Sequence, residues 1–425
     1  MHLSTTYTKS KRGLNISAAG PRLGSTKPAF AMRGALILAV LSALLMAAAR
    51  PAQAQTEKVL YSFNPGNGTD GFGPFSGVVY KKGSLYGTTS QGGAYGWGTV
   101  FEITPEGTEK VLYGFEGSPD GGFPYAGVVF GKNGNLYGTT YECGEYGCGN
   151  YPAGTVFELA TTGKKAGTEK VLHSFPSQSD DGYGPYSALV LDKEGNLYGT
   201  TVDGGTMSNG TVFEITSTGT EKVLYSFSAA GSGDGYGPWA GLVHGKEGNL
   251  YGTTFNGGAY GLGTVFEITS EGTEKVLYSF EGSPDGYSPT NAALVFDKKG
   301  NLYGTTSRGG KYNYGTVFEL TASGAEKVLY SFGGQSGGST YPGGLVFDKK
   351  GNLYGTAGGG TYNAGTVFEL TAAGTEKVLY SFNPDNGTDG YDPGATLVFD
   401  KEGNLYGTTA SGGWYGAGTV FEVTP

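Results

Sequence analysis

The sequence predicts an all-β fold, a seven-bladed β-propeller with four strands per blade, closed by the N-terminal strand completing the last blade. Three observations carry this: one pattern recurs seven times, each copy reads as four short strands, and the two chain ends stand in complementary phase. The segment Glu57-Lys-Val-Leu-Tyr-Ser-Phe63 returns, with small changes, at Glu109, Glu169, Glu221, Glu274, Glu326 and Glu376. Successive starts lie 52, 60, 52, 53, 52 and 50 residues apart, a period expected of a propeller or a solenoid. Two more segments recur with it. One is Leu-Val-Phe-Asp-Lys-Glu-Gly-Asn-Leu-Tyr-Gly-Thr-Thr in its fullest form, the other Gly-Thr-Val-Phe-Glu, from Gly98 to Gly418.

In the first unit the strands are expected at 58–63, 77–80, 85–88 and 99–103. They are rich in Val, Tyr, Phe, Leu and Thr and bounded by Gly, Asn, Asp and Pro. Apolar residues fall on both faces, as they must when each sheet packs between two others. The 81 Gly, together with 31 Tyr and 23 Phe, suit tight turns between short strands. The third strand runs into the next unit through Thr104-Pro-Glu-Gly107-Thr108. A three-residue loop with Gly last suits a type I turn closed by a left-handed Gly bulge. In that register Glu102 faces Lys110 and Glu214 faces Lys222, which gives the recurrent Glu a structural role.

The phase of the repeat selects the ring. Residues 55–425 open on the outer-strand segment Glu57–Phe63 and end on Gly418-Thr-Val-Phe-Glu-Val-Thr-Pro425. The last unit thus lacks an outer strand and the first supplies a spare one. Pairing them in a ring satisfies both, whereas an open solenoid leaves two bare edges.

Residues 1–54 read as a leader. Gly34–Ala49 is apolar, follows Arg33, and precedes the small-x-small sequence Ala52-Gln53-Ala54. That is the pattern of a secretory signal peptide with its core at 32–54, too short for a comfortable membrane span. The expected location is therefore exported, periplasmic or extracellular, with no membrane insertion after cleavage. The leader carries seven Lys or Arg and no acid, so 21 bases face 37 acids in the remainder, a net charge of −16. Such a surface repels nucleic acid and anionic lipid. Cys143 and Cys148 share one loop, and in an oxidising compartment a local disulfide is expected. With no His or third Cys nearby in sequence, a metal pair is the lesser reading.

The motifs Asn249-Leu-Tyr-Gly-Thr-Thr254, Gly257-Gly258 and Gly263-Thr-Val-Phe266 resemble one copy of the Gloeo/Verruco (GloVer) tandem repeat. The resemblance covers 56–425. It implies an exported repeat protein and no assigned activity, so it speaks for fold and location and supplies no chemistry. The hairpin Val190-Leu-Asp-Lys-Glu-Gly-Asn-Leu-Tyr198 is more loosely similar to NHL-type propellers.

Alternating strand direction sorts the loops onto two faces. One collects the Asp-Gly-aromatic-x-Pro segments and the Gly-Gly loops with their Tyr and Trp. The other collects Lys and Glu of the hairpin turns, a solvated surface. Asp70, Asp120, Asp181, Asp234, Asp285 and Asp389 begin the Asp-Gly segments, while the sixth unit has Gly338. They read either as turn formers ahead of a Pro-initiated strand or as a ring of acceptors for sugar hydroxyls or a cation. The residue after the Pro breaks the symmetry. It is Phe75, Tyr125, Tyr186 and Trp239 in units one to four, then Thr290, Gly343 and Gly394. These rings either pack between blades or form a stacking crescent at the channel mouth. The candidate ligand-binding set is therefore Phe75, Tyr125, Tyr186 and Trp239 with Asp70, Asp120, Asp181 and Asp234.

Other constellations are weaker. Asp385-Asn-Gly-Thr-Asp389-Gly390 spaces oxygens somewhat as a calcium loop does, but Thr396 stands where the twelfth-position Glu belongs. No cofactor is assigned, and calcium is the lesser alternative. His173 replaces a repeat Tyr and His244 a repeat Phe, so both read as substituted strand residues, and no metal site is assigned. There is no nucleophile elbow, zinc signature or phosphate loop.

Three function classes stay open. The first is an exported, monomeric binding or interaction module for a glycan or a cell-surface or extracellular protein. The second is a carbohydrate-active hydrolase or lyase, which needs two carboxylates that differ between units; the unrepeated acids Glu142, Glu145 and Asp203 are the candidates. The third is a scaffold without a small ligand.

Overall fold

The computed structural model describes residues 56–425 apart from 150–152, 229–230, 232, 290–291 and 334–340. The leader reading of residues 1–54 lies outside the described residues. Gln55–Pro425 is one compact unit whose described residues form seven antiparallel sheets arranged as the blades of a propeller, six of four strands and the fifth of five, because Gly286–Pro289 pairs with Leu302–Gly309 alongside Val295–Phe296. Among the described residues no helix is long and apolar enough to cross a membrane.

Blade 1 shows the plan. From the channel outward it runs Val79–Lys81, Ser84–Thr89, Thr99–Ile103 and Glu109–Gly114. Its outer strand is thus the opening segment of the next sequence repeat. Glu102 opposes Lys110 in register, and their charged groups lie 3.6 Å apart; Glu214 opposes Lys222 likewise. The turn between them is the expected one: Gly107 N–H donates to Thr104 O at 2.8 Å with φ of 80°, a left-handed conformation that suits Gly. The pattern did not foretell the bulge in every such pair, between Val100 and Phe101 in blade 1, which adds twist. Nor did it foretell small two-stranded ribbons such as Gly71–Phe72 with Gln91–Gly92.

The ring closes through the first strand. Thr56–Ser62 pairs antiparallel with Thr419–Thr424, placing Lys58 opposite Glu422, and completes the sheet of Val398–Phe399 and Leu405–Thr409.

Blades are held together by repeated contacts. A Phe following each outer strand meets the third-strand Phe of the next blade edge to face, as in Phe63–Phe101 and Phe175–Phe213, with ring centres 5.1–5.6 Å apart at all seven interfaces. These rings are almost fully buried and contribute dispersion and burial together. The Gly of Leu-Tyr-Gly-Thr-Thr is required by the same Phe: a Cβ on Gly87 would sit 2.6 Å from Phe101 Cζ. Nearer the channel, the first Thr of that motif donates to a carbonyl of the next blade. Thr88 reaches Ala126 O at 2.7 Å, and Thr408 closes the circle onto Ser76 O at 2.8 Å.

Candidate functional site

The segments entering the inner strands converge on a cavity of about 800 Å³ at the central channel, within the size range of small-molecule sites. Phe75, Tyr125 and Tyr186 line one side; Tyr341, Asp392 and Gly394 belong to the other. The Pro between the two variable rim positions, as in Gly73-Pro74-Phe75, fixes φ and sets the following side chain at the mouth.

The four predicted rings form one continuous arc across blades 1 to 4. Phe75 and Tyr125 have ring centres 5.7 Å apart. Tyr125 stacks on Tyr186 at 5.1 Å and 21°. Trp239 meets Tyr186 edge-on at 5.1 Å, extending the arc beyond the cavity lining. Tyr141 fills in behind, 5.6 Å from Tyr125 and 5.7 Å from Tyr186. Phe75 is 48% exposed, and the other three are partly buried. The opposite half of the mouth carries Gly343 and Gly394 at the equivalent position; Thr290 lies outside the described residues.

The four predicted aspartates sit elsewhere, and none lines the cavity. Asp70 Oδ2 accepts from the Tyr61 hydroxyl at 2.8 Å and from Asn64 N–H at 2.7 Å. Asp120 takes Tyr113 at 2.5 Å and Glu116 N–H. Asp234 takes Tyr225 at 2.8 Å and Ser228 N–H at 2.7 Å. In the third unit Asp181 contacts His173 instead, at 2.9 Å. Reading these carboxylates as rim acceptors is therefore corrected: they clasp the preceding outer strand to the loop that carries the rim residues. The Asp385–Gly390 loop is built alike. Asp389 accepts from Tyr380 and Asn383 N–H, and Asn386 Oδ1 accepts the amides of Thr388 and Asp389. Cys143 and Cys148 are joined by a disulfide in the loop of the second unit.

Each clasp has a second carboxyl, the Glu that opens the following outer strand. Burial pushes Glu57 up to about 8, helped by the Asp389 charge, and does the same to Glu169 beside Asp120. Glu109, Glu274 and Glu326 rise to about 7, again by burial and then by the neighbouring Asp.

Sequence reasoning missed two further rim positions. The residue before the Pro is Gly73, Phe123, Gly184, Gly237, Ser288, Tyr341 or Asp392 in successive units. It has positive φ at Gly73, Gly184 and Gly237, and also 55° at Phe123, 51° at Ser288 and 59° at Asp392. Three units thus place a side chain where Gly is the unstrained choice. The other position pairs with the Asp-Gly-aromatic ribbon, as Phe72 with Gln91 and Tyr287 with Arg308. It is Gln91, Glu142, Asp203, Asn256, Arg308, Gly359 or Ser411. Of the unrepeated acids, Glu142 and Asp203 thus hold the same ribbon position in neighbouring units, and both charges act on Tyr141, whose hydroxyl burial pushes up to about 12. Burial raises the carboxyls of Glu142, Asp203 and Asp392. Glu145 is exposed in the disulfide loop. The available signal was a comparison of the seven units: positions that differ while their neighbours repeat. A third set is peripheral. Tyr95, Tyr260, Tyr312, Tyr362 and Tyr415 are each about half exposed on the Gly-Gly loops, with Met207 in the third unit and Tyr146 in the disulfide loop of the second.

The model of the Gloeobacter/Verrucomicrobia repeat matches residues 49–243 and 229–421. No curated protein matches the chain. Among solved structures, the extracellular domain of a candidate hybrid two-component system from B. thetaiotaomicron is 11% identical, with a TM-score of 0.52; the match covers 86% of this chain and 39% of that one. A candidate 6-phosphogluconolactonase from Bacteroides uniformis is 14% identical with a TM-score of 0.49, covering 77% of this chain and 89% of that one. At these identities the likeness concerns the fold alone.

Proposed function

The chain belongs to the Gloeobacter/Verrucomicrobia repeat family, and from that premise we propose that it is an exported binding module for a neutral, hydroxyl-rich ligand such as an oligosaccharide. The observation that carries the reading is the arc of Phe75, Tyr125, Tyr186 and Trp239 on one half of the channel mouth. Contiguous rings offer flat apolar faces to a sugar at little cost in side-chain entropy. The polar partners in this reading are Glu142 and Asp203, whose charges reach Tyr141 behind the arc. Asp70, Asp120, Asp181 and Asp234 have a positioning role. With a net charge of −16 on residues 55–425, an anionic ligand would approach against the field.

A glycan array probed with the exported protein tests this. Trp239→Ala is expected to weaken a captured glycan by roughly 1–3 kcal/mol, the scale of a lost aromatic anchor, and Tyr415→Ala to do much less. Equal losses, or no glycan retained, would overturn the reading. A catalytic alternative has one observation in its favour: burial raises the carboxyls of Glu142, Asp203 and Asp392, the direction in which the general acid of glycoside cleavage is tuned. Cleavage of a captured glycan that Glu142→Gln abolishes without releasing the ligand would favour it.

A further inference from the structure

We propose that His173, Asp181 and Glu221 form a binding site for a divalent transition-metal ion, which clasps the outer strands of blades 2 and 3. His173 lies in Glu169–Ser174, the outer strand of blade 2, and Glu221 opens Glu221–Ser226, that of blade 3. Asp181 comes from the loop between them. One ligand atom from each of the three lies within 4.8 Å of the others, and His173 Nε2 is 2.9 Å from Asp181 Oδ2. Both side chains are about one-fifth exposed, so an ion can enter yet would shed most of its water.

The other units are an internal control. At the position of His173 they carry Tyr61, Tyr113, Tyr225, Tyr278, Tyr330 and Tyr380. In five of these the phenol donates a hydrogen bond to the Asp. A protonated phenol is a poor metal ligand, while neutral imidazole is the commonest one. The ring is steadied edge-on by Phe175, with centres 4.6 Å apart. Glu221 Oε1 is buried without a hydrogen-bond partner, as are the equivalent atoms of Glu57, Glu109, Glu169, Glu274 and Glu326; what distinguishes this unit is the imidazole beside it, which lets an ion take up that oxygen. Two carboxylates and one imidazole neutralise a divalent charge and leave a fourth position for water. The nitrogen donor selects Zn²⁺ and its neighbours over Ca²⁺ or Mg²⁺. Bonds of about 2.0–2.2 Å need only a small parting of His173 from Asp181. This site is separate from the channel mouth and does not rest on the glycan reading.

Untagged exported protein, stripped with chelator, would be titrated with Zn²⁺ by calorimetry and followed by thermal unfolding. One bound equivalent and a rise in Tm are expected. His173→Tyr installs the residue that the other units use, so it should fold normally yet lose both effects. Glu221→Gln gives the same test from another element and should weaken binding by more than roughly tenfold, the scale already seen for outer-shell partners. His244→Phe, also a repeat residue, should leave binding intact. Undiminished binding in His173→Tyr, or no Zn²⁺ bound by the unaltered protein, would overturn the proposal.

Discussion

The blade interfaces and the channel mouth follow opposite rules within the same seven units. At every interface the chain places the same Phe pair, and the second strand carries the Gly its ring requires. At the mouth, a few residues along each chain segment, the side chains range from Gly394 to Trp239 and from Asp203 to Arg308. Close packing leaves the interface one workable shape, because an added or missing methylene must displace a neighbour. The mouth borders open space, so substitution there costs the fold little and is free to follow a ligand. The difference teaches where to look in a repeat protein: the functional positions are those at which units disagree.

That contrast can be broken by paired substitutions. Phe213 is fully buried against Phe175, so Phe213→Ala should cost about 3–5 kcal/mol, the usual loss for a buried aromatic. Trp239→Ala removes a larger side chain from a partly buried rim position and should cost no more than about 1 kcal/mol of stability. Denaturant unfolding of both variants checks this. Comparable losses would mean that the arc is a second core and not a binding surface.

Most of the fold was legible in the sequence because it is written seven times. Period, strand composition, turn chemistry and terminal phase all point to one closed ring, and Lys58 opposite Glu422 follows from phase alone. The site was legible only in part. Phe75, Tyr125, Tyr186 and Trp239 stood out because four aromatics face three small residues. The role of the Asp series stayed between two readings because a recurrent polar residue reads equally as ligand or clasp until its partner is seen. Tyr61 is nine residues before Asp70, and nothing in the spacing announces that bond. His173 shows the same limit: beside Glu169–Ser174 alone it is a substituted Tyr, and only the ring brings Glu221 to it.

The clasps give the interior a pH response of its own. Glu57, Glu169 and Glu274 are raised to about 7–8, chiefly by burial, while in the unfolded chain they titrate in the ordinary carboxylate range. The folded state thus binds more protons than the unfolded one at neutral pH, and stability must fall as pH rises through that window. Asp192, Asp297 and Asp400 respond oppositely. Although burial opposes it, hydrogen bonds from neighbouring Asn residues lower them, so their contribution is lost only in acid. Tm is expected to peak near pH 5 and to fall by several degrees by pH 9. The groups are only half-buried, so solvent screening keeps the effect below the full shift. The triple variant Glu57→Gln, Glu169→Gln, Glu274→Gln should flatten the alkaline limb. A limb that stays equally steep would show that these carboxyls are not its cause.

The sixth unit sharpens the comparison at its finest grain, because there the interior itself departs from the repeat. In six blades the second Thr of Leu-Tyr-Gly-Thr-Thr hydrogen-bonds a Thr of the third strand, as Thr89 does Thr99 at 2.8 Å. Blade 6 has Ala357 instead, and among the described residues Thr366 donates to the Ala357 carbonyl, at 3.5 Å. In the other units the Asp-Gly glycine lies against that Thr so closely that a Cβ on Gly71, Gly235 or Gly390 would overlap the hydroxyl. The residue aligned with those glycines in the sixth unit is Ser339, outside the described residues. Loss of a hydroxyl and gain of a side chain therefore fall on the two positions that elsewhere collide. Ala357→Thr alone should destabilise by about 1–3 kcal/mol through overpacking. Ser339→Gly alone should have a small effect. Together they should restore the repeat chemistry and bring stability back to at least that of the unaltered chain, a coupling of about 1–3 kcal/mol, as expected for side chains sharing one space. Strictly additive losses in the double-mutant cycle would show that the two substitutions arose independently and that blade 6 packs by a different rule.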